Sequence, residues 1–266
     1  MSDARPELAP CIRFDVMSSA RVWNYWLGGA EHYSADRAAA EEFIQRCPQI
    51  VDIARESRRF LVRVVRYLAG TAGVRQFLDI GAGLPFHQHT HEVAQSVAAD
   101  ARIVYVDNDP LVVAHAMAWM TNTTAAGAVD YLEADVRDPE AILARASRTF
   151  RADKPIAVLL LGVLGHAVSD TDEVYRILRR LMAGAPAGSF LVLSDGVDTG
   201  DLPHREACIR HGYQLRSYPE FLACFDRLEL LEPGAVPLNR WRPDDPRLGL
   251  GEPLHGHAGV ARKPTL

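Results

Sequence analysis

Apolar and polar positions along the chain change period near residue 70. Residues 1–17 have no clear period and hold two prolines, which predicts a loose arm. The aromatic patch VWNYWLGG follows, and a helical stretch runs from Asp36 to about Arg46. Residues 52–69 predict a strong amphipathic helix, with Phe60, Leu61, Val64, Val65 and Leu68 on one face and Arg58, Arg59, Arg63 and Arg66 largely elsewhere. Beyond that point short apolar runs alternate with helical spacing. RQFLDIG, RIVYVDND, VDYLEADV, PIAVLLLGV and GSFLVLSDG read as strands. HEVAQSVAA, PLVVAHAMAWM, the stretch Pro139 to Arg148, and residues 203–212 and 218–225 read as helices. Asp170-x-x-Glu173 predicts a capping box opening a helix that ends near Met182. LELLEPG and HAGVARKP are the last strand candidates, and only a Pro- and Gly-rich loop separates them.

Strands alternating with helices imply a parallel sheet wound by right-handed crossovers. A final pair without a helix between them favours an antiparallel hairpin at the sheet edge. The chain divides accordingly into an N-terminal arm and helical cap (1–70) and an α/β domain (71–266).

Composition narrows the function classes. Of 266 residues 48% are apolar, enough for a sizeable core, and the formal net charge is -5 without a run of Lys or Arg. A nucleic-acid partner would need a basic stripe, so none is expected. The arginines of RESRRF and RILRR read as solvated helix faces. Cys11, Cys47, Cys208 and Cys224 form no CxxC pair and have no zinc spacing, which suits free thiols in a reducing cytoplasm. No stretch approaches the roughly 18 apolar residues that span a bilayer, and the N-terminus lacks a signal-peptide layout. A cytoplasmic protein without a membrane partner is expected, with a homodimer as its expected assembly.

The chemistry concentrates at strand ends, where a doubly wound sheet binds its ligand. In FLDIGAGLP (77–85), Gly81 and Gly83 free the backbone to approach a ligand, and the next helix can turn amides toward it. Asp79 makes the pattern D-x-G-x-G. A carboxylate there suits a cationic amino-acid moiety and is unwelcome beside a pyrophosphate. The third glycine of G-x-G-x-x-G is absent, Phe86 following Pro85. Both features favour S-adenosylmethionine over a dinucleotide. Asp107, closing the second strand in VYVDNDP, can accept from both ribose hydroxyls, because Asp109 directly precedes Pro110 and can cap the helix. Asp135, closing the third strand in EADVRDP, faces the expected place of the adenine amine, with Asp138 as the helix cap.

These pieces, with SSARVWNYWLGGAEHYSADRAAAE, THEVAQ, VYVDNDPLVVAHA, ADVRDPEAIL, LLLGVLGHA, LELLEPGAV and GVARKP, resemble the bacterial S-adenosyl methyltransferase family long filed as a domain of unknown function. The resemblance covers nearly the whole chain in order. It implies a Rossmann-like class I methyltransferase: a mostly parallel seven-stranded sheet, a C-terminal antiparallel hairpin and an N-terminal helical cap. It further implies S-adenosylmethionine as cofactor, S-adenosylhomocysteine as product, and cofactor contacts at Gly81, Gly83, Asp107, Asn108 and Asp135. Asp79, Ala82, Pro85, Val136, Leu161, Gly162 and Tyr25 complete the expected cofactor set, with Tyr25 stacking on the cofactor or hydrogen-bonding it. Residues 21–29 match the family pattern R-x-Y-D-Y-x-L-G-G, except that Trp23 and Asn24 replace Tyr and Asp. Phe86 and His89 depart from the usual Thr and Asn of the loop after the first strand.

Methyl transfer needs an in-line nucleophile, and a base only where that nucleophile must lose a proton. His166, after the fourth strand, is the candidate base; the alternative is an imidazole that hydrogen-bonds a loop. His32 and Tyr33 are candidate acceptor-pocket residues, while Trp23, Tyr25 and Trp26 can equally pack the cap on the sheet. His87, His89 and His91 alternate, but the segment should enter a helix and only Glu92 adds a carboxylate, so no metal is expected. LGVLGH stands where amide and adenine methylases carry an NPPY-like sequence. The expected activity is therefore O- or N-methylation of a small molecule. A cofactor-binding protein without methyl transfer is the alternative, and an NAD-dependent dehydrogenase a weaker third reading.

Overall fold

The computed structural model describes residues 13–244 and 251–265. Cys11, most of the expected arm and part of the Pro- and Gly-rich loop lie outside the described residues. Among the described residues three helices come first: α1 (Ser19–Leu27), α2 (Ser34–Arg46) and α3 (Ile50–Gly70). α1 carries the aromatic patch and stops at Gly28, whose φ of 84° closes the helix in the left-handed region. α2 starts before Asp36 because that side chain turns back to cap it. Asp36 accepts from the backbone N–H of Tyr33 (2.8 Å) and Ser18 (2.9 Å) and from Nε of Arg21 (2.7 Å).

Both members of the Arg21–Asp36 pair are buried. Burial pushes the Asp36 carboxyl up, but the bonds from Arg21, Tyr33 and Ser18 outweigh it and hold it below its ordinary range. A depressed folded-state value stabilises the fold above the unfolded-state value, and that contribution disappears as pH falls through the folded value. The melting temperature should therefore drop more steeply for the wild type than for Asp36→Asn between about pH 5 and about pH 3. Parallel calorimetric profiles would remove Asp36 from the acid response.

α3 buries Phe60, Leu61, Val64, Val65 and Leu68 as its spacing predicts. Two of its arginines turn inward, Arg58 leaving the expected solvated face. Arg63 is buried, donating to Oε1 of Glu56 (2.6 Å) and to the carbonyls of Trp241 (3.1 Å) and Leu238 (2.9 Å). It thereby ties the cap to the C-terminal segment. Arg58 turns into the site described below.

The parallel strands are β1 (Gln76–Ile80), β2 (Arg102–Asp107), β3 (Ala128–Glu133), β4 (Ala157–Leu161) and β5 (Phe190–Asp198). The intervening helices are α4 (Thr90–Val97), α5 (Pro110–Trp119), α6 (Pro139–Ala146), α7 (Leu164–Ala167) and α8 (Thr171–Gly184). Next come α9 (Leu202–Arg210), β6 (Arg216–Ser217), α10 (Tyr218–Ala223), β7 (Glu229–Leu230), β8 (Val236–Pro237) and β9 (Gly256–Arg262). The main sheet order is β3-β2-β1-β4-β5-β9-β7, with β6 paired to β5 and β8 to β9. This is the mostly parallel Rossmann-like arrangement with antiparallel C-terminal strands.

Three details differ from the sequence reading. β7 and β9 do pair antiparallel, but β9 lies inside the sheet, matched to β5 from Phe190↔Arg262 to Gly196↔Gly256. Among the described residues the short β6 and β8 bring the sheet to nine strands. Asp170 caps α8 by accepting from Asp172 N–H at 3.1 Å rather than in a box with Glu173, and the helix runs on to Gly184.

Strand alternation splits the core into two layers. Phe77, Leu159 and Val192 face the cap and pack with Phe60, Val64, Leu68 and Trp241. Leu78, Leu160 and Leu193 face the opposite side with Ile142, Ile177 and Leu181. The order reverses between β1 and β4, so the carboxyl ends of those strands form the topological switch point, with α1 and α3 above it.

Candidate active site

The loop after β1 is built by backbone bonds to its neighbour. Gly81 and Ala82 N–H both donate to the Val106 carbonyl (2.7 and 3.2 Å). Gly83 N–H donates to Oδ2 of Asp107 at 3.0 Å. The two glycines serve different needs. Gly81 has φ 73°, and a Cβ there would overlap Val163, so it permits packing against the loop after β4. Gly83 has φ 66°, and a Cβ would meet nothing within 4 Å, which leaves an open cradle beside the backbone.

Asp107 accepts a second backbone bond, from Asp109 N–H at 3.0 Å. Asp109 caps α5 through Leu111 N–H (2.9 Å), as its position before Pro110 predicts. It also accepts from Oγ of Ser18 (3.2 Å), which closes the cap over this end. Burial raises the Asp107 carboxyl above its ordinary value, against the lowering effect of the Asp109 and Gly83 amides. Asp79 is buried and accepts from Oγ1 of Thr90 at 2.6 Å. Burial raises it as well, opposed by Thr90 and by the nearby Arg58 guanidinium.

These groups line a groove of about 1380 Å³, counted to its open mouth. Asp79, Gly81, Ala82, Gly83, Asp107, Asn108, Leu161, Gly162 and His166 of the sequence-predicted set all line it. Pro85, Asp135, Val136, Tyr25, His32 and Tyr33 do not. Val136 is buried in the core on the other face of the sheet. The Asp135 carboxylate accepts from the backbone N–H of Arg137 (2.9 Å) and from its Nη1 (3.2 Å), and the same guanidinium donates to the Ala167 carbonyl. Tyr25 points away and donates to Oε1 of Glu41 at 3.0 Å. Helical spacing explains this: α1 buries Val22 and Trp26 toward the sheet, so Tyr25 faces outward. His32 holds the Gly29 carbonyl (3.1 Å) and Arg37 (3.3 Å), while Tyr33 packs edge-on to Phe14.

The structure adds residues that the sequence reading left out. Ala54, Arg58 and Leu61 line the groove from one stripe of α3. Arg58 donates to the carbonyls of His87 and Gln88 (both 3.0 Å). Its Nε is buried and has no partner among the described residues. Asn24 lines the groove too, accepting Glu31 N–H at 2.9 Å. His89 and His91 have structural work: His89 caps α4 in a box with Glu92, and His91 bonds the Tyr105 hydroxyl through both N–H and ring (2.9 Å each).

A second pocket, about 700 Å³ when counted to its open mouth, adjoins the groove, sharing Ser19, Trp23, Ser57, Gly162 and His166 with it. Trp23 lines both. Its Nε1–H donates to Nε2 of His166 at 3.2 Å. Indole nitrogen can only donate, so the neutral imidazole carries its proton on Nδ1. Burial, aided by His211, lowers the His166 pKa to about 4. The cavity is otherwise lined mainly by apolar side chains, including Val22, Trp26, Phe43, Ile50 and Ile53. Its one carboxylate among the described residues, Asp195, is committed to Tyr213 Oη and to the amides of Gly165 (3.0 Å) and Gly196 (3.1 Å).

A parallel α/β sheet with an acid-lined, glycine-cradled groove at its switch point defines a nucleoside-binding enzyme of the class I methyltransferase type. Residues 6–264 match the S-adenosyl methyltransferase family, and the chain belongs to that family. A Thermobifida fusca YX protein assigned to the methyltransferases is 40% identical, aligns over 95% of this chain and 97% of its own, and superposes with a TM-score of 0.85. A DUF574 family protein from Streptomyces avermitilis MA-4680 is 35% identical over 95% of this chain and 100% of its own, with a TM-score of 0.86. A SAM-dependent methyltransferase from Methanosarcina mazei shares the fold at 14% identity, over 73% of this chain and 94% of its own, with a TM-score of 0.50. No curated protein matches the sequence. The protein is a SAM-dependent methyltransferase, and the unpartnered Arg58 Nε and the open Gly83 cradle fit that cofactor.

Proposed function

We propose that this methyltransferase acts on a small, largely apolar aromatic acceptor seated in the cavity beyond Trp23. The observation that carries this reading is the meeting of a polar groove and an apolar chamber at the Trp23–His166 pair. S-adenosylmethionine supplies an electrophilic methyl group when bound. Asp107 would accept from the ribose hydroxyls, each of its oxygens keeping an acceptor site beside its one backbone bond. Arg58 and Asp79 would hold the carboxylate and ammonium of the methionine end as opposite charges. Asp135 would meet the adenine amine once Arg137 moves aside. The apolar chamber walls would orient the acceptor, a contribution that positioning alone can make large.

His166 fits a positioning role better than a basic one. Its free lone pair already accepts from Trp23, and burial holds its basicity low. Its Nδ1–H can steady a polar atom of the acceptor. Trp23→Phe should free Nε2 at a cost of about 1 kcal/mol in stability. The His166 ring-nitrogen NMR shifts should then lose their single-tautomer pattern; unchanged shifts would show that Trp23 does not set the tautomer. The activity is tested by measuring S-adenosylhomocysteine release against a panel of phenols, aromatic amines and aliphatic alcohols. Release confined to the aliphatic alcohols would sink the acceptor class.

A further inference from the structure

One buried nitrogen in the chamber has no use in the scheme above. His211 follows the last turn of α9 and its ring lies tilted against Phe43, with centroids 5.3 Å apart. Nε2 of His211 is buried and has no hydrogen-bond partner among the described residues. Buried polar atoms are nearly always satisfied, and His211 lines the chamber, so its orphan nitrogen calls for a ligand atom. The indole and phenol donors of the chamber are spoken for. Trp26 Nε1–H is given to the Ala40 carbonyl (3.3 Å), Trp23 Nε1–H to His166, and the Tyr213 hydroxyl to Asp195. Cys208 Sγ lies 3.4 Å from Nε2 of His204.

We infer that His211 is a specificity-determining residue of the acceptor chamber, hydrogen-bonding the hydroxyl of an uncharged aromatic acceptor. The inference rests on the chamber being the acceptor site. Burial lowers the His211 pKa, with Arg46 and Arg210 adding to it and Glu42 opposing, so the ring is neutral near pH 7. A neutral imidazole nitrogen either donates or accepts, and a hydroxyl matches both, whereas a carboxylate or ammonium would enter an apolar chamber unpaired. Trp23, Trp26 and Phe43 offer ring faces and edges to the aromatic body.

The test uses 4-methylphenol and toluene, which differ by one hydroxyl, titrated by ligand-observed NMR into protein saturated with S-adenosylhomocysteine. Wild type should bind 4-methylphenol about tenfold more tightly than toluene. In His211→Phe the ratio should fall to about one, and in His211→Gln it should partly recover. S-adenosylhomocysteine affinity, measured in parallel by calorimetry, reports folding in each variant. A ratio unchanged in His211→Phe, or no preference or no binding of either probe by wild type, overturns the assignment. Failure of wild type to bind S-adenosylhomocysteine would instead strike the reading of the groove, so the two outcomes are distinguishable.

Discussion

Asp107→Ala should weaken S-adenosylhomocysteine binding about 10- to 100-fold, or about 1–3 kcal/mol, in a calorimetric titration. Two losses add. The ribose hydroxyls lose a charged acceptor, and the amides of Gly83 and Asp109 lose their partner at 3.0 Å each. The second loss loosens the glycine loop itself, so the variant should also show faster amide exchange at Gly83. Asp107→Asn keeps a carbonyl acceptor and should fall between wild type and alanine. Asp135→Ala should cost less than Asp107→Ala, because Asp135 lies outside the groove and is engaged by Arg137. Wild-type affinity in Asp107→Ala would remove that residue from the cofactor site.

Arg58→Met should weaken S-adenosylhomocysteine by a similar factor of about 10 to 100, since a bond to a charged group is worth about 1.5–3 kcal/mol. The discriminating ligand is methylthioadenosine, which lacks the amino-acid end. Arg58→Met should leave its affinity within about twofold, while Asp107→Ala should weaken both ligands. The control separates charge from architecture, because Arg58 also braces the His87 and Gln88 carbonyls. Equal losses for both ligands in Arg58→Met would make Arg58 a loop brace and nothing more.

The contrast between these two residues shows what local pattern can and cannot report. Asp107 ends an apolar strand and is followed by an N-cap and a proline, so its place at the carboxyl edge follows from neighbours in sequence. Arg58 sits among charged residues on an amphipathic helix, where a solvated face is the ordinary outcome. Only its sharing of a stripe with Ala54 and Leu61 hints that this side meets the groove. Arg63 was hidden in the same way, since Trp241 and Leu238, whose carbonyls it caps, lie far along the chain. Tyr25, His32 and Tyr33 show the opposite case: aromatic and imidazole side chains near a site attract attention, but the rotation of α1 turns Tyr25 toward Glu41, and His32 and Tyr33, in the segment after α1, contact Gly29, Arg37 and Phe14 instead of lining the groove.

From sequence alone came the alternation of strand and helix, the parallel strands through β5, the D-x-G-x-G loop and the acids at the carboxyl ends of β1 and β2. These depend on periods and caps that act over a few residues. Tertiary structure alone decided that β9 enters the sheet between β5 and β7, that Arg58 faces the groove, and that Trp23, His166 and His211 border one chamber. Those outcomes depend on how helices rotate and pack across the sheet, and burial of distant partners governs that, not local spacing.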